Sequence, residues 1–260
     1  MTSQHTQVAD RMRDAHTAGL AGRVALVTGG SGGIGRALVR RLAAEGTAVA
    51  VAYSAHGAAA KKTAAQAAED GVQAVAVGAD LRRPQAPAEL VNAVERALGP
   101  VDVLVANAGT GRTCSWEAVS SADFDEATAV NLRAPFLLAQ RTLPGMQERR
   151  FGRILFISSV AAFTGGLIGP HYAASKAGLY GLTHFLAAST TPFGVTVNAL
   201  APALIAEMGL LPGDPQELRQ QVPVGRLGHP DEVADLALAI LRNPYLTNQV
   251  VSLDGGMYPR

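Results

Sequence analysis

Apolar and polar positions alternate along the chain in two kinds of run. Short, nearly continuous apolar runs predict strands at 23–28, 47–53, 72–77, 101–106, 153–157, 195–200 and 250–253. Longer runs with helical periodicity lie between them, at 36–45, 57–70, 87–98, 124–147, 172–189 and 231–241. Apolar runs without strict alternation belong to a sheet covered on both faces. Helix-sized connections between strands are what parallel pairing requires. The expected class is therefore α/β, a doubly wound parallel sheet of about seven strands with helices on both faces. The run 124–147 is expected to break into two helices near Asn131 and Pro135. No linker, repeat or low-complexity stretch interrupts the alternation, so residues 21–260 are expected to form one domain. Residues 1–20 are polar and mixed in charge, and are expected to be a flexible N-terminal tail.

Composition narrows this further. The chain has 260 residues, of which 48% are hydrophobic and 17% charged, ample material for a buried core. A formal net charge of +1 gives no electrostatic reason to expect nucleic acid or an anionic membrane as partner. No apolar run approaches a membrane span. The single cysteine, Cys114, excludes an intramolecular disulfide and suits a reducing compartment, so a cytoplasmic location is expected. No histidine lies near it in sequence, and it reads as a packing residue.

Two stretches carry candidate chemistry. The first is Thr28-Gly29-Gly30-Ser31-Gly32-Gly33-Ile34-Gly35, between the first strand and the first helix. Glycines there let backbone approach a pyrophosphate, and a helix N-terminus offers free N–H groups and the positive end of a dipole. Gly30, Gly32 and Gly35 match G-x-G-x-x-G; in this strand–turn–helix setting the match points to a Rossmann-type dinucleotide site. The second stretch runs from Ser158-Ser159 to Tyr172-Ala173-Ala174-Ser175-Lys176. Tyrosine and lysine four apart share a helix face, so phenol and ammonium can lie side by side. A cation beside it favours phenolate, lowering a tyrosine pKa that is otherwise about 10. Such a phenol suits proton exchange with an alcohol or a carbonyl. Taken singly, Tyr172 also fits a packed aromatic, Lys176 a solvated helix residue, Ser159 a turn former and Asn131 a helix-break residue.

Together the motifs resemble the short-chain dehydrogenase/reductase family. Thr28-Gly29-x-x-x-Gly33-x-Gly35, Asn107-Ala108-Gly109, Asn131, Ser159 and Tyr172-x-x-x-Lys176 stand in that family's order and spacing. Gly225-Arg226-Leu227-Gly228-x-Pro230-x-Glu232-Val233-Ala234 and Asp254-Gly255-Gly256 resemble its C-terminal signatures, so the likeness runs from Gly22 to Gly256. The resemblance implies hydride transfer between a nicotinamide and a substrate carbon. In it Tyr172 exchanges the proton, Lys176 lowers the tyrosine pKa and binds the nicotinamide ribose, Ser159 holds the reacting oxygen, and Asn131 supports a water of the proton relay. Cofactor contacts are implied for Thr28, Gly29, Ser31, Gly32, Gly33, Ile34 and Gly35 of the glycine loop, and for Tyr53, Ser54, Asp80-Leu81, Asn107-Ala108-Gly109, Tyr172, Lys176, Pro202 and the Ile205 backbone. Homodimers or homotetramers, paired through the Tyr172 helix and its neighbour, are implied too.

Within the resemblance, cofactor choice turns on the end of the second strand. NAD-specific members place an acid there, about 20 residues past the glycines. This chain has Tyr53-Ser54-Ala55-His56 instead, so a 2′-phosphate meets no carboxylate and Ser54 can donate to it. Arg36, His56 and Lys61 could add charge, although surface roles fit them equally, and many NADP-using relatives carry a basic residue where this chain has Gly32. NADP(H) is expected over NAD. Three positions leave the family pattern: Ala106 in place of asparagine, Ala203 after Pro202, and Ala206-Glu207-Met208 without the threonine that holds the carboxamide.

Substrate signals are sparser. The segment 204–224 reads as a movable lid. Phe163 and Gly165-Gly166-Leu167-Ile168-Gly169 imply a largely apolar pocket, with His171 either lining it or packed. The cluster Arg149-Arg150-Phe151-Gly152-Arg153 resembles the surface by which 3-oxoacyl-thioester reductases meet an acyl carrier protein, though cations at a helix C-terminus are expected on dipole grounds alone. The leading expectation is NADPH-dependent reduction of a ketone to an alcohol, with a 3-oxoacyl thioester as the candidate substrate. Its rivals are an alcohol dehydrogenase oxidising a sugar, polyol or steroid, and a non-catalytic dinucleotide-binding sensor or scaffold.

Overall fold

All seven apolar runs are strands. The computed structural model describes residues 19–206 and 213–258. Within them lie β1 (Val24–Thr28), β2 (Ala48–Tyr53), β3 (Ala74–Gly78), β4 (Val103–Ala106), β5 (Gly152–Ile157), β6 (Val195–Pro202) and β7 (Val250–Leu253). They form one parallel sheet in the order β3-β2-β1-β4-β5-β6-β7. Leu26 of β1 stands beside Ala50 of β2 and Leu104 of β4. The chain thus reverses direction across the sheet between β1 and β4, and the carboxyl ends of these strands open a crevice there.

Alternate strand residues feed two separate cores, as the two-residue side-chain period demands. Ala25, Val27, Val49 and Val51 pack against α1 (Gly33–Ala44), α2 (Gly57–Ala68) and α9 (Pro230–Arg242). Leu26, Ala50, Leu104 and Phe156 pack against α3 (Ala86–Leu98), α5 (Ala134–Glu148) and α7 (Pro170–Thr190). Both faces are covered, which explains why the strand sequences are apolar throughout rather than alternating. Leu20 is already buried, and its carbonyl accepts from Thr47 Oγ1 at 2.9 Å. The rest of the expected tail, residues 1–18, lies outside the described residues, as do Glu207, Met208 and the part of the expected lid from 207 to 212.

Three local expectations change. Helix α1 starts at Gly33, so the last glycines of the loop form its first turn. The predicted break near Asn131 is absent: α4 (Ser121–Thr128) runs through a π-helical turn, Ala129–Arg133, directly into α5. Pro135 falls in the first turn of α5, where a missing N–H costs little after a π turn has already displaced the ladder. The loop after β5 contains the short helix α6 (Ala161–Thr164), and the segment after β6 contains α8 (Pro215–Gln220). Among the described residues, no helix is long and apolar enough to cross a membrane.

Candidate active site

At the end of β1 the glycine loop is built for close backbone approach. A Cβ on Gly35 would stand 2.1 Å from the Gly29 carbonyl oxygen, and one on Gly30 would stand 2.8 Å from Val51 Cγ1. Gly29 has φ +63°, and a side chain there would meet Ala108 Cα at 3.0 Å. Gly32 is the N-cap of α1 and supplies no side-chain cap, so the first-turn N–H groups face the crevice without intrahelical partners. Asn107 pins this loop to β4: its Nδ2 donates to the carbonyls of Thr28 and Gly29 at 3.0 and 3.2 Å. Thr28 Oγ1 in turn accepts the N–H groups of Asn107 and Ala108, both at 3.0 Å. A cavity of about 610 Å³ begins at this cradle. It passes Tyr53, Ser54, Ala55 and His56 on one side and Asp80, Leu81 and Arg82 next to them, and ends at Ser159, Tyr172 and Lys176. Free helix donors, a shape that any Cβ would obstruct, and this length fit a dinucleotide.

Ser159 leaves β5, while Tyr172 and Lys176 project from the first turns of α7. A hydrogen bond joins the side chains of Ser159 and Tyr172, and Ser159 Oγ also accepts the Ala161 N–H at 3.1 Å. Tyr180, stacked on Phe163 with ring centres 4.8 Å apart, donates its hydroxyl to the Ser159 carbonyl at 3.2 Å and backs the serine. Lys176 is buried, with Nζ donating to the Ile157 carbonyl at 2.8 Å and lying 5.7 Å from the centre of the Tyr172 ring. The electrostatics differ from the expectation drawn from residue spacing. Burial pushes the Tyr172 phenol above its ordinary value, and the Ser159 hydrogen bond opposes this. Burial likewise pulls the Lys176 ammonium down to about 8. Desolvation exceeds the cation's pull because the ammonium is committed to a carbonyl rather than to the phenol oxygen.

Asn131 is fully buried in the π turn but does not line the cavity. Its Oδ1 accepts the Thr110 N–H at 2.8 Å, and its Nδ2 donates to the Thr110 carbonyl at 2.8 Å and to Ser175 Oγ at 3.0 Å. Gly109 passes between Asn131 and Lys176: a Cβ there would lie 3.3 Å from Lys176 Nζ and 3.5 Å from Asn131 Oδ1. Gly111 rests on the tyrosine, where a Cβ would meet Tyr172 Cδ2 at 2.9 Å.

Among the residues expected to contact a cofactor, the structure brings every one to this cavity, including Pro202 and Ile205. Ile205 is held by the Gly225–Ala234 stretch. Gly228 donates its N–H to the Leu204 carbonyl at 2.9 Å and accepts from Ala206 N–H at 2.8 Å, while its missing side chain leaves room for Ile205 Cδ1. Asp80 is held below the usual carboxylate range by Arg82, whose Nε and Nη2 donate to it at 2.8 and 2.9 Å. Of the expected basic residues at the β2 end, His56 lines the cavity and Arg36 and Lys61 do not. Sequence reasoning missed Thr110, Val130 and Arg82, which lie beside flagged residues. It also missed Met257 and Tyr258, which meet Ser159 and Tyr172 around a second cavity that Gln221 of the expected lid segment also lines. Nothing local marks these two, because β7 carries them back to β6 from far along the sequence. Phe163 lines neither cavity, and His171 is buried away from both. Within the basic cluster, Arg153 is buried with Nε on the Leu241 carbonyl at 3.1 Å, and Arg149 Nε pairs with Asp102 at 3.1 Å. This cluster sits at the amino end of β5, the opposite end of the strand from Ser159.

A parallel sheet in this order, with a glycine cradle after β1 and the crevice at its switch point, is a Rossmann-type α/β fold. The sequence profile of short chain dehydrogenases matches residues 23–210. A 3-oxoacyl-[acyl-carrier-protein] reductase from Aquifex aeolicus is 37% identical over 245 residues, covering 92% of this chain and 98% of the relative. An acetoacetyl-CoA reductase from Rhizobium meliloti is 37% identical over 242 residues, covering 91% of this chain and 98% of the relative. A solved structure of a Serratia marcescens short-chain dehydrogenase/reductase double mutant superimposes with a TM-score of 0.84 at 34% identity, covering 92% of this chain and 98% of that one. The chain belongs to the short-chain dehydrogenase/reductase family and is an oxidoreductase.

Proposed function

We propose that the protein reduces the ketone of a 3-oxoacyl thioester, with NADPH as reductant. The observation that carries this reading is the convergence of Ser159, Tyr172 and Lys176 on one dinucleotide-sized cavity. Relatives named for 3-oxoacyl-[acyl-carrier-protein] and acetoacetyl-CoA reduction support the substrate class. A bound nicotinamide supplies the hydride. Ser159 and Tyr172 hold the carbonyl oxygen through their hydroxyls, and Tyr172 gives that oxygen its proton. Burial keeps the phenol protonated through neutral pH, which is the form a reduction consumes. Lys176 would hold the cofactor's ribose and return a proton to the tyrosine, with the Asn131 turn supporting the relay. The glycine loop and the first turn of α1 hold the pyrophosphate.

The preference for NADPH rests on the end of β2, where Tyr53, Ser54, Ala55 and His56 line the cavity without a carboxylate. Arg82 stands on the adjoining wall with its charge paired to Asp80, so the preference rests on the β2 end alone. Carrier-protein docking through residues 149–153 draws no support from Arg153, which is buried, or from Arg149, which is paired; the thioester reading rests on the cavities instead.

The test is initial-rate reduction of acetoacetyl-CoA with NADPH and with NADH, on wild type and Tyr172→Phe. Wild type should turn over at least about tenfold more efficiently with NADPH, a difference of about 1.4 kcal/mol. Tyr172→Phe should lose about 100-fold or more in kcat while NADPH still raises the melting temperature. Turnover near wild type in Tyr172→Phe would remove the tyrosine from its role, and a clear NADH preference would reverse the cofactor assignment.

A further inference from the structure

A second cavity of about 170 Å³ adjoins the first and shares Ser159, Tyr172 and Ala203 with it. Beyond those three its walls are mainly apolar, with Leu167 and Ile168 from the loop before α7, Leu204 after β6, and Met257 and Tyr258 from the chain end. Both outer walls are braced. Gly166, at φ +66°, folds the loop so tightly that a Cβ would stand 2.6 Å from Ala161 Cβ. Asp254 accepts the N–H groups of Gly256 and Tyr258 at 2.9 and 3.2 Å, fixing the chain end.

We infer that this cavity receives the alkyl tail of the substrate and thereby selects acyl chains of short to medium length. The inference rests on the thioester reading above and names what that reading leaves open. A 3-oxoacyl thioester carries two arms on its reacting carbon. The thioester arm is polar and continues into a long carrier, which a cavity of 170 Å³ cannot hold. The alkyl arm is apolar and matches the walls. A dry apolar cavity of about 150 Å³ takes a benzene, about six non-hydrogen atoms. A tail of roughly six carbons therefore fills this one. Each methylene it buries contributes about 0.8 kcal/mol, roughly fourfold in kcat/KM. Methylenes beyond that number leave the walls and gain nothing.

The experiment measures kcat/KM with NADPH for acetoacetyl-, 3-oxohexanoyl-, 3-oxooctanoyl- and 3-oxododecanoyl-CoA. Efficiency should climb to the octanoyl compound by about fourfold per methylene and stop climbing before the dodecanoyl one. Leu167 is half exposed, so Leu167→Trp fills the cavity without disturbing either core. In that variant the 3-oxooctanoyl to acetoacetyl ratio should fall about tenfold or more, and the ratio cancels any general loss of rate. A flat series, a rise continuing through the dodecanoyl compound, or an unchanged ratio in Leu167→Trp overturns the inference while leaving thioester reduction intact. Reduction of simple ketones with none of the thioesters overturns the thioester reading as well, and so tells the two failures apart.

Discussion

At the residue scale the site is governed by burial more than by pairing. Lys176 and Tyr172 lie on one helix face as their spacing predicts, yet each is shifted toward its neutral form because water is excluded. For Lys176 this has a consequence for stability. Its folded value of about 8 lies below the unfolded value of 10.5, so between these limits the unfolded chain binds the extra proton and stability rises with pH. Below pH 8 the full penalty of a buried ammonium is present. Urea denaturation of wild type and Lys176→Met should show the wild type gaining roughly 2 kcal/mol relative to the variant between about pH 7 and pH 10. Above the unfolded value of 10.5 the lysine is neutral in both states, and the difference stops growing. Parallel curves for the two proteins would show that Lys176 is not desolvated in this way.

At the scale of elements, the π turn between α4 and α5 decides which way Asn131 faces. Sequence alone reads this asparagine as a helix breaker or a relay residue. In the fold its side chain makes three hydrogen bonds, two to the backbone of Thr110, and so fastens the segment on which Gly109 passes Lys176 and Gly111 supports Tyr172. A π turn accommodates this by adding a residue to one turn of helix, which turns Asn131 inward without ending the helix. Asn131→Ala should cost about 2–3 kcal/mol in chemical denaturation, since the Thr110 N–H and carbonyl lose their partners. Destabilisation below about 0.5 kcal/mol would mean that water or backbone replaces all three bonds. The Gly225–Ala234 stretch is understood in the same way. Its glycine at 228 forms a bridge with Ile205, and the Arg226–Glu232 ion pair and the His229–Glu232 capping box fix the start of α9 beside it.

At the scale of the whole molecule, the sheet and its two helical layers bury the apolar residues efficiently, and the exceptions are informative. Phe185 on α7 is 71% exposed, and Phe136 on α5 and Phe124 on α4 are partly exposed. Self-association through α7, as the resemblance implies, would cover Phe185, and in a two-fold interface each phenylalanine counts twice. Light scattering at micromolar concentration should give the mass of a dimer or tetramer. Phe185→Glu should shift it toward monomer, since burial of each ring is worth about 2 kcal/mol. A monomeric wild type would end this expectation.

The sequence by itself determined the class of fold, the existence of all seven strands, the glycine cradle and the Ser159, Tyr172 and Lys176 set. These are local signals: a strand buried on both faces must be apolar throughout, a helix start that admits backbone must be glycine, and residues four apart on a helix must share a face. Tertiary structure decided what depends on segments distant in sequence. It placed Met257 and Tyr258 beside Ser159 because β7 pairs with β6, and it turned Asn131 onto Thr110. It also buried Lys176 deeply enough for desolvation to outweigh its proximity to the phenol. Burial and long-range pairing belong to the assembled chain, and no local pattern encodes how much water remains around a given side chain.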